Sequence, residues 1–177
     1  MSMSRWIVAG VCATLTWPLV AGGQEGPNLG IEATPEEIAG WDISIGADGD
    51  GLPVGSGTPS EGASIFAAKC AACHGLQGEG LLNDRLVGGH GSLATDNPAK
   101  TIGSYWPYAT TIFDYVRRAM PYQTPHTLTD DEAYAVTAHL LHLNGIIGAH
   151  EVIDAQTLPA IEMPNQNSFD WAYPATE

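Results

Sequence analysis

Basic residues are scarce in this chain of 177. Lys and Arg number 6 against 20 Asp and Glu, which gives a formal net charge of −14. Nucleic-acid binding needs a basic footprint, so that class of function is excluded. A negatively charged protein of this kind meets its partners through complementary charge or a local apolar patch. Cysteine is scarcer still, with Cys12, Cys70 and Cys73 the full set of 3. That excludes a disulfide framework, and it leaves no second cysteine pair for a structural zinc site. Past residue 23 no apolar run is long enough to span a bilayer, which takes about 20 residues. Glycine and proline, at 21 and 12, are plentiful and forecast much loop.

Residues 1–23 read as an export signal. Arg5 supplies the charged start, two mostly apolar stretches follow, and Ala21-Gly22-Gly23 offers small residues for cleavage. Thr14, Thr16 and Pro18 interrupt the apolar run, which argues against a retained anchor. Removal of this segment takes Cys12 with it and leaves two cysteines.

Those two stand in Cys70-Ala71-Ala72-Cys73-His74. Two cysteines three apart, followed at once by histidine, form the attachment signature of a c-type haem. Each thiol can add to one porphyrin vinyl group, and the histidine then sits where it can ligate the iron. A dithiol redox reading needs a βαβ pattern nearby, and none is visible. Export agrees with the motif, because bacteria attach c-type haem outside the cytoplasm; the expected location is the periplasm, with no membrane span after processing.

The rest of the chain arranges itself around that motif. Residues 24–57 are polar, glycine-rich and acidic, with one short helix announced by Thr34-Pro35-Glu36-Glu37 and carrying Ile38 and Trp41 on its apolar face. The domain proper, 58–144, opens on a second such signal, Thr58-Pro59-Ser60-Glu61. In the helix that follows, Gly62 lies one turn before Phe66 and leaves room for another helix to approach. Residues 75–109 form a long connection expected to cover the haem edge. Tyr105 and Trp106 at its end are read as packing around the macrocycle, and Arg85 and Lys100 as propionate partners or solvated charges. A helix over 109–118 presents Ile112, Phe113 and Val116 and stops at Met120-Pro121. Thr129-Asp130-Asp131-Glu132 then caps a last helix to about Leu143. On it His139 reads as a packing residue and His142 as a surface one. Residues 145–177 show no amphipathic period and read as an irregular tail along the domain or a partner.

Met120 and Met163 remain after export as candidates for the second iron ligand. Met120 is favoured, since it follows a helix within the domain, whereas Met163 lies beyond the final helix. His90, His126 and His150 are weaker alternatives on loops. His/Met ligation raises the potential of a c-type haem relative to bis-histidine ligation.

The helix bearing Gly62 and Phe66, the Cys70–His74 motif with Gly75, and Ala119-Met120-Pro121 before a capped last helix together resemble a class I c-type cytochrome. The resemblance implies an all-α fold with helices wrapped around one covalent haem c, held by Cys70 and Cys73 and ligated by His74 and Met120. A narrower resemblance runs through Thr34 to Ile38, Lys100 to Ala109, Phe113 to Pro121, Leu141 to Ile147 and Met163-Pro164-Asn165. These stretches are similar to the cytochrome subunit of the Sox sulfur-oxidising system. That subunit commonly carries a second haem domain, and this chain has one C-x-x-C-H.

The narrower resemblance implies a partner: a molybdenum-cofactor protein acting as sulfane or sulfite dehydrogenase. The chain would accept its electrons and pass them to a downstream cytochrome c. The molybdenum cofactor would belong to the partner alone, since no molybdopterin-binding region fits in 177 residues, and the chain would not be catalytic by itself. Two other readings stand beside this one. A freestanding electron carrier would need only 58–144, and a haem sensor would need Met120 to leave the iron open.

Overall fold

The computed structural model describes residues 29–170, 172 and 173. The export signal of 1–23 and Trp171 lie outside the described residues. The described helices are α1 (Pro35–Trp41), α2 (Pro59–Lys69), α3 (Ala71–His74), α4 (Ala109–Ala119) and α5 (Asp130–Leu143). A two-residue antiparallel pair, β1 (Ser56–Gly57) with β2 (Ile153–Asp154), joins the segment before α2 to the segment after α5, Ser56 facing Asp154 and Gly57 facing Ile153.

Three of the helices start by one device. The hydroxyls of Thr34, Thr58 and Thr129 accept the amides of Glu37, Glu61 and Glu132, and each of those carboxylates accepts the threonine amide in return. The exchange satisfies amide groups that a helix start otherwise leaves unpaired, and losing such a cap costs about 1 kcal/mol. Pro35 and Pro59 follow their caps, where a missing N–H costs nothing.

The core is built on α5, which is buried on every side from Ala133 to Leu141. Burial extends to the polar residues Thr137 and His139, because neighbours surround the helix. On one side α2 crosses it closely. A Cβ on Gly62 would lie 1.9 Å from the Ala135 carbonyl oxygen, and one on Gly57 would lie 2.2 Å from the Ala135 amide nitrogen. Only glycine permits either approach. On another side α4 brings Phe113 against Tyr134, with ring centroids 4.3 Å apart. Two ion pairs tie neighbouring helices to the start of α5, Lys69 to Glu132 and Arg117 to Asp130, both at 2.7 Å. Partly exposed pairs of this kind contribute about 0–1 kcal/mol each.

The tail corrects one expectation. Expected to lie along the domain or a partner, it goes further and buries Ile147, Ile153, Leu158 and Met163 in the same cluster as Phe113 and Leu141. It does so with single residues spaced along irregular chain, so no period announces them. The N-terminal side behaves likewise from Ile45 onward. Ile45 and Leu52 pack on the core. Thr110 donates its hydroxyl to the Ala47 carbonyl at 3.2 Å, and Tyr134 donates to the Pro53 carbonyl at 2.9 Å. The first part of that extension is different: no residue of α1 is buried.

Candidate cofactor-binding cleft

The end of α2 delivers the motif. Cys70 closes that helix, its amide bonded to the Phe66 carbonyl at 2.9 Å, and the chain turns at once into α3, which carries Cys73 and His74. Gly75 follows with φ 81°, and a Cβ there would meet the Glu79 carboxyl group at 2.4 Å. The turn at Gly75 sends the following loop back over α3. The amides of Leu82 and Asn83 donate to the Cys73 carbonyl at 3.0 and 2.9 Å, and that of Gly80 donates to the His74 carbonyl at 2.8 Å.

This folded-back loop orients the imidazole. His74 Nδ1 lies 2.9 Å from the backbone oxygen of Asp84. A carbonyl oxygen can only accept, so Nδ1 carries the proton and Nε2 keeps its lone pair. A ring held in one tautomer by a backbone carbonyl is the usual state of a metal-ligating histidine.

Cys70, Cys73 and His74 line one cleft together with Met120, which leaves the end of α4 in extended conformation. The cleft is open to solvent on one side. Phe66, Leu86, Val116, Leu128, Val136 and Leu140 give it an apolar lining, and Lys69, Asn83, Tyr122 and Gln123 add polar groups. Burial in these surroundings pushes the free Cys70 thiol up to about 11, with Lys69 opposing and Cys73 adding to the rise. Unattached, this thiol stays protonated at neutral pH.

The donor set is chemically selective. Two thiols, one imidazole with a free Nε2 and one thioether meet in an apolar cleft. An apolar macrocycle that takes two thioether bonds and two axial ligands fits these residues, so the chain's own side chains suit a c-type haem.

Other residues singled out from sequence fall elsewhere. Neither Tyr105 nor Trp106, expected to pack around the macrocycle, lines the cleft. The turn before them is buried and bound to the body: Thr101 donates its hydroxyl to the Gly88 carbonyl, and the Ser104 amide donates to Thr101 Oγ1 at 3.2 Å. It releases Tyr105 toward the tail, where the ring meets Phe169 edge-on at 5.7 Å, and Trp106 toward Tyr115 at 5.8 Å. Lys100 lies over the Tyr105 ring, 5.1 Å from its centroid, and Arg85 is not part of the lining. Met163 is buried away from the cleft. Among the histidines, His74 alone lines it; His139 is buried between helices, and His90, His126 and His150 are exposed. Asn83, Leu86 and Leu128 line the cleft without any sequence signal, because their places follow from how the loops fold back; Lys69 lines it from the last position of α2.

Comparison with known proteins follows this geometry. A family model described as cytochrome c matches residues 59–144. The crystal structure of the sulfane dehydrogenase SoxCD from Paracoccus pantotrophus contains a chain 45 % identical to this one, superposing with a TM-score of 0.77 over 84 % of this chain and 72 % of that one. A thiosulfate dehydrogenase from Psychrobacter arcticus is 30 % identical over 90 residues, which are 51 % of this chain and 27 % of that protein. The chain thus spans about a quarter of that relative's length, at 27 %.

Proposed function

The chain belongs to the cytochrome c family and has its mostly helical class I fold, and from that premise we propose that it is the monohaem electron-transfer subunit of a molybdenum-containing sulfane or sulfite dehydrogenase. Residues 58–144 form the haem domain in this reading, flanked by the extensions 24–57 and 145–177. Haem c, when bound, supplies a one-electron carrier. Cys70 and Cys73 would hold it covalently, and His74 Nε2 and the Met120 thioether would supply the protein ligands to its iron. The Asp84 carbonyl keeps the His74 ring in the ligating tautomer. The apolar lining from Phe66 to Leu140, with a neutral thioether, would favour the reduced state of the bound group.

The observation that carries the reading is the meeting of Cys70, Cys73, His74 and Met120 on one apolar cleft. It occurs in a chain 45 % identical to a chain of a sulfane dehydrogenase. The electrons come from the dehydrogenase, one at a time, and leave to a downstream cytochrome c. Processing of residues 1–23 places the chain in the periplasm. No helix among the described residues is long and apolar enough to cross a membrane.

The test is purification of the tagged chain from its native host, with haem and molybdenum measured in the product. One covalent haem per chain, a mass lacking about twenty N-terminal residues and molybdenum in stoichiometric amount are expected. Sulfite and sulfane compounds should reduce the haem in that preparation and not in the isolated chain. A chain that purifies alone, without molybdenum, overturns the subunit reading in favour of a freestanding carrier.

A further inference from the structure

The N-terminal extension divides into two unlike parts. From Ile45 to Gly57 it is fastened to the body by apolar contacts, hydrogen bonds and the β1–β2 pair. Residues 29–42 carry no buried residue at all. Yet this outer part is strongly apolar: Ile31 is 94 % exposed and Trp41 89 %, with Leu29 and Ile38 also exposed. Ile31, Ala33, Ile38 and Trp41 line a shallow groove edged by Glu37 and Asp42.

A helix of 7 residues is too short to hold itself in water, and α1 has only its cap to help. Its apolar face has no partner among the described residues. We propose that residues 29–42 form a docking arm for the dehydrogenase subunit, with Ile38 and Trp41 seated in an apolar groove on that subunit. The inference rests on the function proposed above and adds the surface by which the partner is held. The charge pattern selects the occupant. Glu32, Glu36, Glu37 and Asp42 surround the apolar residues, and no Lys, Arg or His occurs between residues 29 and 57. The groove must therefore have a basic rim. A second copy of this chain would bring acid to acid, since the whole chain carries a net charge of −14. A lipid surface is disfavoured for the same reason, because helices that lie on membranes place Lys and Arg on their polar face. With the arm as tether, the haem cleft on the body is left free for exchange with a second protein, at an effective concentration set by the tether for the first.

The experiment uses the holoprotein and the molybdenum subunit isolated from the native complex. Full-length chain, Ile38→Ala/Trp41→Ala and Glu32→Lys/Glu36→Lys are titrated against that subunit, with the haem absorption spectrum recorded for each. The apolar double variant is expected to bind about tenfold more weakly or worse, with an unchanged spectrum, as buried aromatic anchors do. The charge variant is expected to lose affinity at low salt, with the loss shrinking as salt rises. Unchanged affinity of the apolar double variant overturns the docking arm and leaves the subunit reading intact. If the native chain binds no molybdenum subunit, both fall together. A dimer of the chain itself, present in the native form and lost in the apolar variant, assigns the arm to self-association and overturns the proposal.

Discussion

Met120 and Met163 carry the same side chain into two different settings. Met120 lines the cleft with the imidazole and both thiols, half-exposed, on chain that has just left α4. Met163 is 2 % exposed and sits in the closed side of the molecule, in the cluster that also holds Leu141, Ile153 and Leu158. A thioether enclosed by hydrocarbon fills volume and nothing else, since Met adapts its shape to irregular gaps. A thioether at the edge of an open cleft keeps its sulfur lone pairs available. By surroundings and not by type, Met120 stands where a thioether can reach a bound group and Met163 where it can only pack.

The largest effect is therefore expected from exchanging roles. Met120→Ala should abolish the sulfur-to-iron charge-transfer absorption of the oxidised protein, lower the potential and let carbon monoxide bind the reduced iron. Met163→Ala should leave all three untouched and lower stability by about 2–5 kcal/mol, the usual cost of emptying a buried site. Absorption spectra, potentiometry and denaturant titration of both variants decide it. The contrast collapses if Met163→Ala alone removes the absorption band.

A second substitution asks how far the closed side supports the open one. On α2, Gly62 faces α5 and Phe66, one turn later, lines the cleft. Gly62→Ala would set a methyl group against the Ala135 carbonyl and the His139 Cβ, at 1.9 and 2.8 Å. The clash is with backbone on one side, so the helices must move apart, at a cost near the upper end of the usual 1–3 kcal/mol for overpacking. Because Phe66 moves with the helix, the haem absorption should shift as the melting temperature falls. A lowered melting temperature with an unaltered spectrum would mean that the two sides are mechanically independent.

What could be read from the sequence and what could not divides along the same line. The haem motif, the three Thr-x-x-Glu caps, the glycine at the α2–α5 crossing and the stop at Met120-Pro121 were all legible, because each is a local chemical requirement written within a few residues. The tail's contribution was not. Ile153, Leu158 and Met163 reach the core one at a time from irregular chain, and β1 pairs with β2 over two residues, too few for alternation to register. The burial of α5 on all sides was hidden too, since Tyr134 and Thr137 carry hydroxyls that suggest solvent until their neighbours are in place. Tyr105 and Trp106 were legible as aromatic packing residues but not in their neighbours Phe169 and Tyr115, which the anchored turn before them decides.

The smallest effect comes from His139, which stands between the two sides. It is 9 % exposed on α5, and its ring lies 5.4 Å from that of Phe66, centroid to centroid. Burial holds its pKa below the ordinary 6.5, the His142 charge pushes the same way, and the Pro59 carbonyl partly opposes both. The unfolded chain, whose histidines titrate near the ordinary value, thus takes up a proton at a higher pH than the folded chain does. Stability is full above 6.5 and declines as pH falls from there toward the lowered folded value. Glu132 is also held below its ordinary 4.5, chiefly by the hydrogen bond from Lys69, and its contribution is lost only in more acid solution. The first window opens at a higher pH than the second. Denaturant midpoints of the holoprotein should therefore begin to fall on acidification below 6.5, ahead of the decline that begins below 4.5, and His139→Gln should flatten that first decline while leaving the second. The slope is the readout, so an overall loss of stability from placing Gln in the core does not disturb it. An identical slope in the variant would show that the buried imidazole is not what ties this fold to neutral pH.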